Sequence, residues 1–94
     1  MLLDGKRLLI SGVVTSDSIA FAVAERALFS GAEVLVTAFP RDLEAAKVVV
    51  ATLPQSVDVI AVDATSEEDL ATLEELIRRR WGYITATVNL STLD

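Results

Sequence analysis

Lys6-Arg7-Leu8-Leu9-Ile10-Ser11-Gly12, followed after a short loop by Ser18-Ile19-Ala20-Phe21-Ala22-Val23-Ala24, decides the fold. The first part is an apolar run without alternation, closed by a glycine, as expected of a strand buried on both faces. The second part changes period. Ile19, Ala22, Val23, Ala27 and Ser30 recur at three- and four-residue spacing, and Gly31 follows as a helix stop. Ala20 and Ala24 are small enough to bring that helix close to a sheet. A strand that feeds a helix through a glycine loop is the first half of a βαβ unit.

The rest of the chain repeats the pattern. Glu33-Val34-Leu35-Val36-Thr37-Ala38 reads as a second strand, broken by Pro40. Residues 41–52 read as a helix with Leu43, Ala46, Val50 and Leu53 on its inner side, ended by Pro54. Residues 57–62 make a third strand closed by Asp63. Ser66-Glu67-Glu68-Asp69 then matches a capping box, in which the Ser66 hydroxyl and the Asp69 carboxylate satisfy first-turn amides. That helix begins with acids and ends with Arg78, Arg79 and Arg80, so both ends complement its dipole. Residues 84–90 read as a fourth strand. Connections too long for hairpins require parallel strands and right-handed crossovers. The expectation is an α/β fold: a partial Rossmann, doubly wound parallel sheet, βαβαβαβ, with strand order 3-2-1-4.

Composition narrows the function. The 94 residues suffice for one domain, and 52% are hydrophobic, which excludes a disordered chain. There is no cysteine and no histidine, which removes thiolate zinc sites, cysteine nucleophiles and imidazole bases. A net charge of −6 argues against binding a nucleic-acid backbone. No apolar run approaches the ~20 residues of a membrane span, and the N-terminus lacks a secretory pattern, so a cytoplasmic location is expected. Acids concentrate in the second half, which leaves the first half the better host for an anionic ligand.

The candidate ligand site is the loop after the first strand, where the strand order reverses. Gly12 permits a tight turn, and the backbone amides of Ser18, Ile19 and Ala20 would open the helix toward a pyrophosphate. Only one of the three glycines of G-x-G-x-x-G is present, and Asp17 would repel phosphate. On the motif alone, phosphate binding and a plain strand–helix turn both stand.

The segment SGVVTSDSIAF, with LLDGKRLLI before it and GAEVLVTAFPR after it, resembles the opening of the NADH-dependent enoyl-acyl-carrier-protein reductases. The nearest likeness is to their actinobacterial branch, which elongates very long fatty acids. In these atypical short-chain dehydrogenase/reductases the loop runs glycine, a five-residue spacer, then Ser-Ile-Ala or Ser-Leu-Ala. The likeness continues through VDATSEEDL, less specifically, to about residue 73. It implies NADH as cofactor, with Gly12 and the amides of Ser18, Ile19 and Ala20 on the pyrophosphate, Val13 near the nicotinamide end, and Val14 within the same loop.

At the end of the second strand, where Rossmann proteins commonly place an acid on the adenosine ribose, stand Thr37, Ala38 and Phe39. The resembled family also lacks that acid and packs an aromatic by the adenosine, which makes Phe39 a candidate; a core aromatic capping the next helix is the alternative. Arg41 keeps a 2′-phosphate, and so NADPH, open. Asp63 and Ala64 match an Asp-Val pair that reads the adenine amino group, against the plainer reading of Asp63 as a loop carboxylate accepting backbone amides. Glu67, Glu68, Glu74 and Glu75 read as a solvated helix face, and Trp81 as a core residue.

The fourth strand departs from the family pattern, because Val88-Asn89-Leu90-Ser91-Thr92-Leu93-Asp94 has no glycine or alanine at the turn toward the nicotinamide ribose. Ser91 is the only candidate equivalent. The family's catalytic tyrosine, with a lysine seven residues later, has no counterpart: Tyr83 is followed at that spacing by Leu90, and the lysines are Lys6 and Lys47. No catalytic residue or metal ligand is therefore expected. Residues 1–94 read as a single NAD(H)-binding half-Rossmann domain, truncated before the catalytic region, and an acyl-carrier-protein-linked enoyl substrate belongs only to a full-length form. The competing expectation is a non-catalytic module that pairs through an exposed sheet edge, including with its own copies as a homo-oligomer. A methyltransferase remnant is a third, disfavoured by the missing G-x-G.

Overall fold

The computed structural model describes residues 2–11, 19–84 and 86–89. The elements run β1 (Arg7–Ser11), α1 (Ile19–Phe29), β2 (Glu33–Ala38), a 3₁₀ turn (Pro40–Asp42), α2 (Leu43–Val50), β3 (Val59–Ala61), α3 (Glu67–Arg80) and β4 (Ala86–Asn89). Across the sheet the order is β3-β2-β1-β4, every neighbouring pair parallel.

Right-handed crossovers explain the layering. The steps from β1 to β2 and from β2 to β3 move in one direction, so α1 and α2 lie on one face; the step from β3 to β4 reverses and puts α3 on the other. The two cores follow the alternation of the strands. Leu8, Ile10, Val34 and Val36 pack with Ala20, Ala24, Ala27, Leu28 and Val50 on the α1–α2 face. Leu9 and Leu35 pack with Val62, Leu73 and Trp81 on the α3 face. The middles of β1 (Leu8–Ile10) and β2 (Val34–Val36) are apolar without alternation because these strands have a core on each side.

Four sequence expectations need correction. The inner face of α1 holds Ala20, Ala24 and Ala27, as expected, together with Leu28, whereas Ile19 and Ala22 point outward. Alanines dominate this face and let the helix lie close to the sheet. The helix expected over 41–52 is a 3₁₀ turn followed by α2, which stops at Val50, short of Pro54; Asp42, at φ −102° and ψ 0°, breaks the helical geometry between the two. β3 is shorter than 57–62, though the hydrogen bonds from Val36 N to Asp58 O (3.1 Å) and from Val62 N to Ala38 O (2.8 Å) carry its pairing past both ends. As an edge strand it has only β2 to define it. β4 begins at Ala86 rather than 84, and Leu90 lies outside the described residues.

Glycine is required after α1. Ala32 N bonds Ala27 O at 3.0 Å and Gly31 N bonds Leu28 O at 3.1 Å, the pairing of a left-handed helix stop, with Gly31 at φ +95°. A Cβ there would also collide with the Asp4 carboxylate.

Candidate functional site

The register fixes which residues meet at the carboxyl end of the sheet. Ser11 on β1 is level with Thr37 on β2 and with Asn89 on β4, and Ala38 is level with Ala61 on β3. The chain leaves β1 toward β2, while β4 arrives on the opposite side, so β1 and β4 flank the point where the winding reverses. Ligands of such sheets lodge there. Gly12, Val13, Val14 and Ser18 fall in this loop and lie outside the described residues.

Ile19 and Ala20 open α1 at the same end. The Ile19 side chain is 71% exposed, whereas Ala20 is 1% exposed and packs into the core. Ala20 therefore has only its backbone to offer a ligand. First-turn amides lack intrahelical acceptors and sit at the positive end of the helix dipole, so this pair of residues can donate toward an anion in the crevice.

Phe39 follows β2 directly. It is 38% exposed and belongs to neither apolar core, contrary to the reading of a core aromatic. The Arg41 guanidinium lies 5.4 Å from its ring centroid, and Arg41 Nε is 3.5 Å from Asp42 Oδ2. Sequence reasoning named Phe39 and Arg41 but not their contact; an arginine two residues past an aromatic, across a turn-forming proline, was the available signal.

Asp63 is held in a compact turn beyond β3. Its Oδ1 accepts from Thr65 N at 2.9 Å and from Thr65 Oγ1 at 2.7 Å, and its carbonyl accepts from Ser66 N at 2.9 Å. The Thr65 hydroxyl, then the Thr65 amide, holds the Asp63 carboxyl below the ordinary aspartate value of 3.8. Both bonds fall on Oδ1; among the described residues Oδ2 accepts none. Asp63 is thus a loop carboxylate accepting a backbone amide, as its plainer reading had it, with one oxygen left over. Ala64 is exposed in the same turn.

The capping box differs from its expected form. Ser66 Oγ accepts from Asp69 N at 3.1 Å, but Asp69 Oδ2 accepts from Asp63 N at 2.9 Å rather than from an amide of the helix's own first turn. The Ser66 amide is already bonded to the Asp63 carbonyl, which leaves Asp69 to tie the Asp63 turn to α3.

The Phe39 and Asp63 segments are adjacent, because the bond from Val62 N to Ala38 O aligns the residues that follow them. Their end of the sheet is acidic: Asp42, Asp63, Glu67, Glu68 and Asp69 face one base, Arg41, among the described residues. Tyr83 lies elsewhere. It precedes β4, at the amino end of the sheet, with the Arg7 guanidinium 4.8 Å from its ring centroid. A hollow of about 720 Å³ lined by Lys47, Leu53 and Asp58 is likewise at the amino end of β3. No group of three or more His, Cys, Asp or Glu among the described residues is placed to hold a metal ion. No helix among them is long and apolar enough to cross a membrane.

Comparison with known proteins adds a family. The model of the enoyl-(acyl carrier protein) reductase family matches residues 12–92. The chain is 40% identical over 81 residues to the NADH enoyl-[acyl-carrier-protein] reductase of Mycolicibacterium smegmatis, an alignment covering 86% of this chain and 30% of the relative. It is 41% identical over 81 residues to that of Mycobacterium avium, with the same coverage. To that of Aquifex aeolicus it is 32% identical over 88 residues, covering 94% of this chain and 33% of the relative. The chain thus spans about a third of the length of the curated relatives it matches.

Proposed function

The chain belongs to the enoyl-(acyl carrier protein) reductase family, and on that premise we propose that it binds the adenosine and pyrophosphate of NADH as the cofactor-binding part of an oxidoreductase of fatty acid biosynthesis. The observation that carries the reading is the family match over residues 12–92, which takes in the segment between β1 and α1 next to the reversal of strand order. Three features of the carboxyl end fit the group. The first turn of α1, at Ile19 and Ala20, offers amide donors to the pyrophosphate; Gly12, Val13, Val14 and Ser18, outside the described residues, are assigned to the same group by this proposal. Asp63 has an acceptor oxygen, Oδ2, for an adenine amino group, beside the exposed Ala64. Phe39 presents a half-exposed ring where an adenosine would pack.

NADH supplies the hydride in the reduction of an enoyl thioester. This chain's residues bind and orient; Tyr83, followed seven residues later by Leu90 rather than by a lysine and set at the opposite end of the sheet, takes no part. The residues 1–94 therefore serve as a single cofactor-binding unit, and the acyl-carrier-protein-linked substrate is engaged by parts of the family fold other than this one.

Calorimetric titration of the purified chain with NADH and 5′-AMP tests the proposal. Binding in the millimolar range is expected, carried by the adenosine half, and lost in Gly12→Trp with the circular dichroism spectrum retained. If neither ligand binds at millimolar concentration, the cofactor reading is wrong and the edge-pairing module takes its place. Oligomers in size-exclusion chromatography would then be its signature.

A further inference from the structure

The charges that follow β2 bear on which dinucleotide the site takes. Rossmann proteins commonly choose between a ribose hydroxyl and a 2′-phosphate at this point, with an acid for the former and an arginine for the latter. Here Thr37, Ala38 and Phe39 occupy the strand end, and the first charged groups met are Arg41 and Asp42. The Arg41 side chain is 82% exposed, its guanidinium over the Phe39 ring. By itself it would be a ready counter-ion for a phosphate.

Asp42 changes that. It stands at the N-cap of α2, where an aspartate ordinarily accepts an amide of the first turn, yet it makes no capping hydrogen bond. Its Oδ2 instead lies 3.5 Å from Arg41 Nε. The pair has no net charge, and the remaining charges at this end among the described residues (Asp63, Glu67, Glu68 and Asp69) are all negative. We infer that Asp42 is the specificity-determining residue of the site: by neutralising Arg41 it denies a 2′-phosphate its counter-ion and selects NADH over NADPH. The inference rests on the dinucleotide reading above and assigns its cofactor preference to one carboxylate.

The test compares 5′-AMP with adenosine 2′,5′-bisphosphate, titrated against the full chain and its variants. Asp42→Asn keeps the shape and capping capacity of the residue. It should move the ratio of affinities toward the bisphosphate by about fivefold at low salt, and by less at high salt. Asp42→Ser, also a good cap, should move it likewise, so the result does not hang on one variant folding. In Arg41→Gln/Asp42→Asn the gain should disappear. A ratio unmoved in both Asp42 variants, or a gain that survives removal of Arg41, overturns the inference while leaving the cofactor reading intact. Failure of every protein to bind either nucleotide overturns both.

Discussion

At the amino ends of the strands, charged side chains are spent on the fold itself. Arg7 Nε bonds Glu33 Oε2 on the neighbouring strand at 3.0 Å, its NH1 bonds the Trp81 carbonyl at 2.6 Å, and its guanidinium lies over Tyr83. Arg80 reaches Asp58 at 2.6 Å, joining the end of α3 to the approach to β3. At the carboxyl ends the polar groups are only partly used. Asp63 keeps an oxygen without a partner among the described residues, Asp42 makes no cap, and Phe39 stands outside both cores. Groups that satisfy one another hold a structure together; groups left over can meet a ligand. One end is therefore framework and the other is available for chemistry.

The largest effect expected from this division is at Gly31. Gly31→Ala forces a side chain into a left-handed backbone and against the Asp4 carboxylate. It should lower the unfolding free energy by about 2 kcal/mol or more. For a domain with about 5–14 kcal/mol in all, that is a heavy loss. Urea denaturation should show the lower midpoint, and 5′-AMP affinity should be unchanged where the protein is still folded. A variant as stable as the parent, or one that loses nucleotide binding while folded, breaks the division.

Arg7→Gln sharpens the comparison at a smaller scale. It removes a charge-assisted bond to the Trp81 carbonyl, a partly exposed ion pair and a ring contact, together about 1–2 kcal/mol. The urea midpoint should fall, Trp81 fluorescence should report a loosened end of α3, and the affinity for 5′-AMP should hold. Loss of affinity in the folded variant would mean that the two ends are coupled.

What could be read beforehand divides along the same line. β2 was legible to the residue, because the five consecutive apolar or β-branched residues Val34–Ala38, led by Glu33 and set between Gly31 and Pro40, admit little else. The cap and the basic end of α3 were legible because they follow from local dipole and hydrogen-bond rules. The inner face of α1 was read in part: Ala20, Ala24 and Ala27 were named for it, but with apolar residues at so many positions periodicity could not turn Ile19 and Ala22 away from the sheet. The candidate site was named from the sequence as a list of positions, through the glycine loop and a family resemblance. Its relationships were not, since the stacking of Arg41 on Phe39 and the tie from Asp69 to Asp63, though local in sequence, depend on the turn geometry that follows each strand. Spacing alone identifies the donors and acceptors but not the pairs they form.

The smallest effect lies in the Asp63 turn, where framework and availability share one carboxylate. The Thr65 hydroxyl and amide favour its ionised form, so its folded pKa lies below the unfolded value. A group depressed in this way binds fewer protons when folded. The stability it contributes is fully present above the unfolded value, and is lost as pH falls through the folded one. Carboxyl ¹³C NMR should therefore give Asp63 a midpoint under 3.8. In Thr65→Val, which keeps the amide and removes the hydroxyl, the midpoint should move part of the way back up. Because Asp63 is solvent-exposed in the turn, the effect on overall stability should be slight. A midpoint at or above the ordinary value would mean that the Thr65 bonds do not persist in solution. Asp63 would then have both oxygens for a ligand, and the contrast between a spent and an unspent end of the sheet would be sharper than the structure draws it.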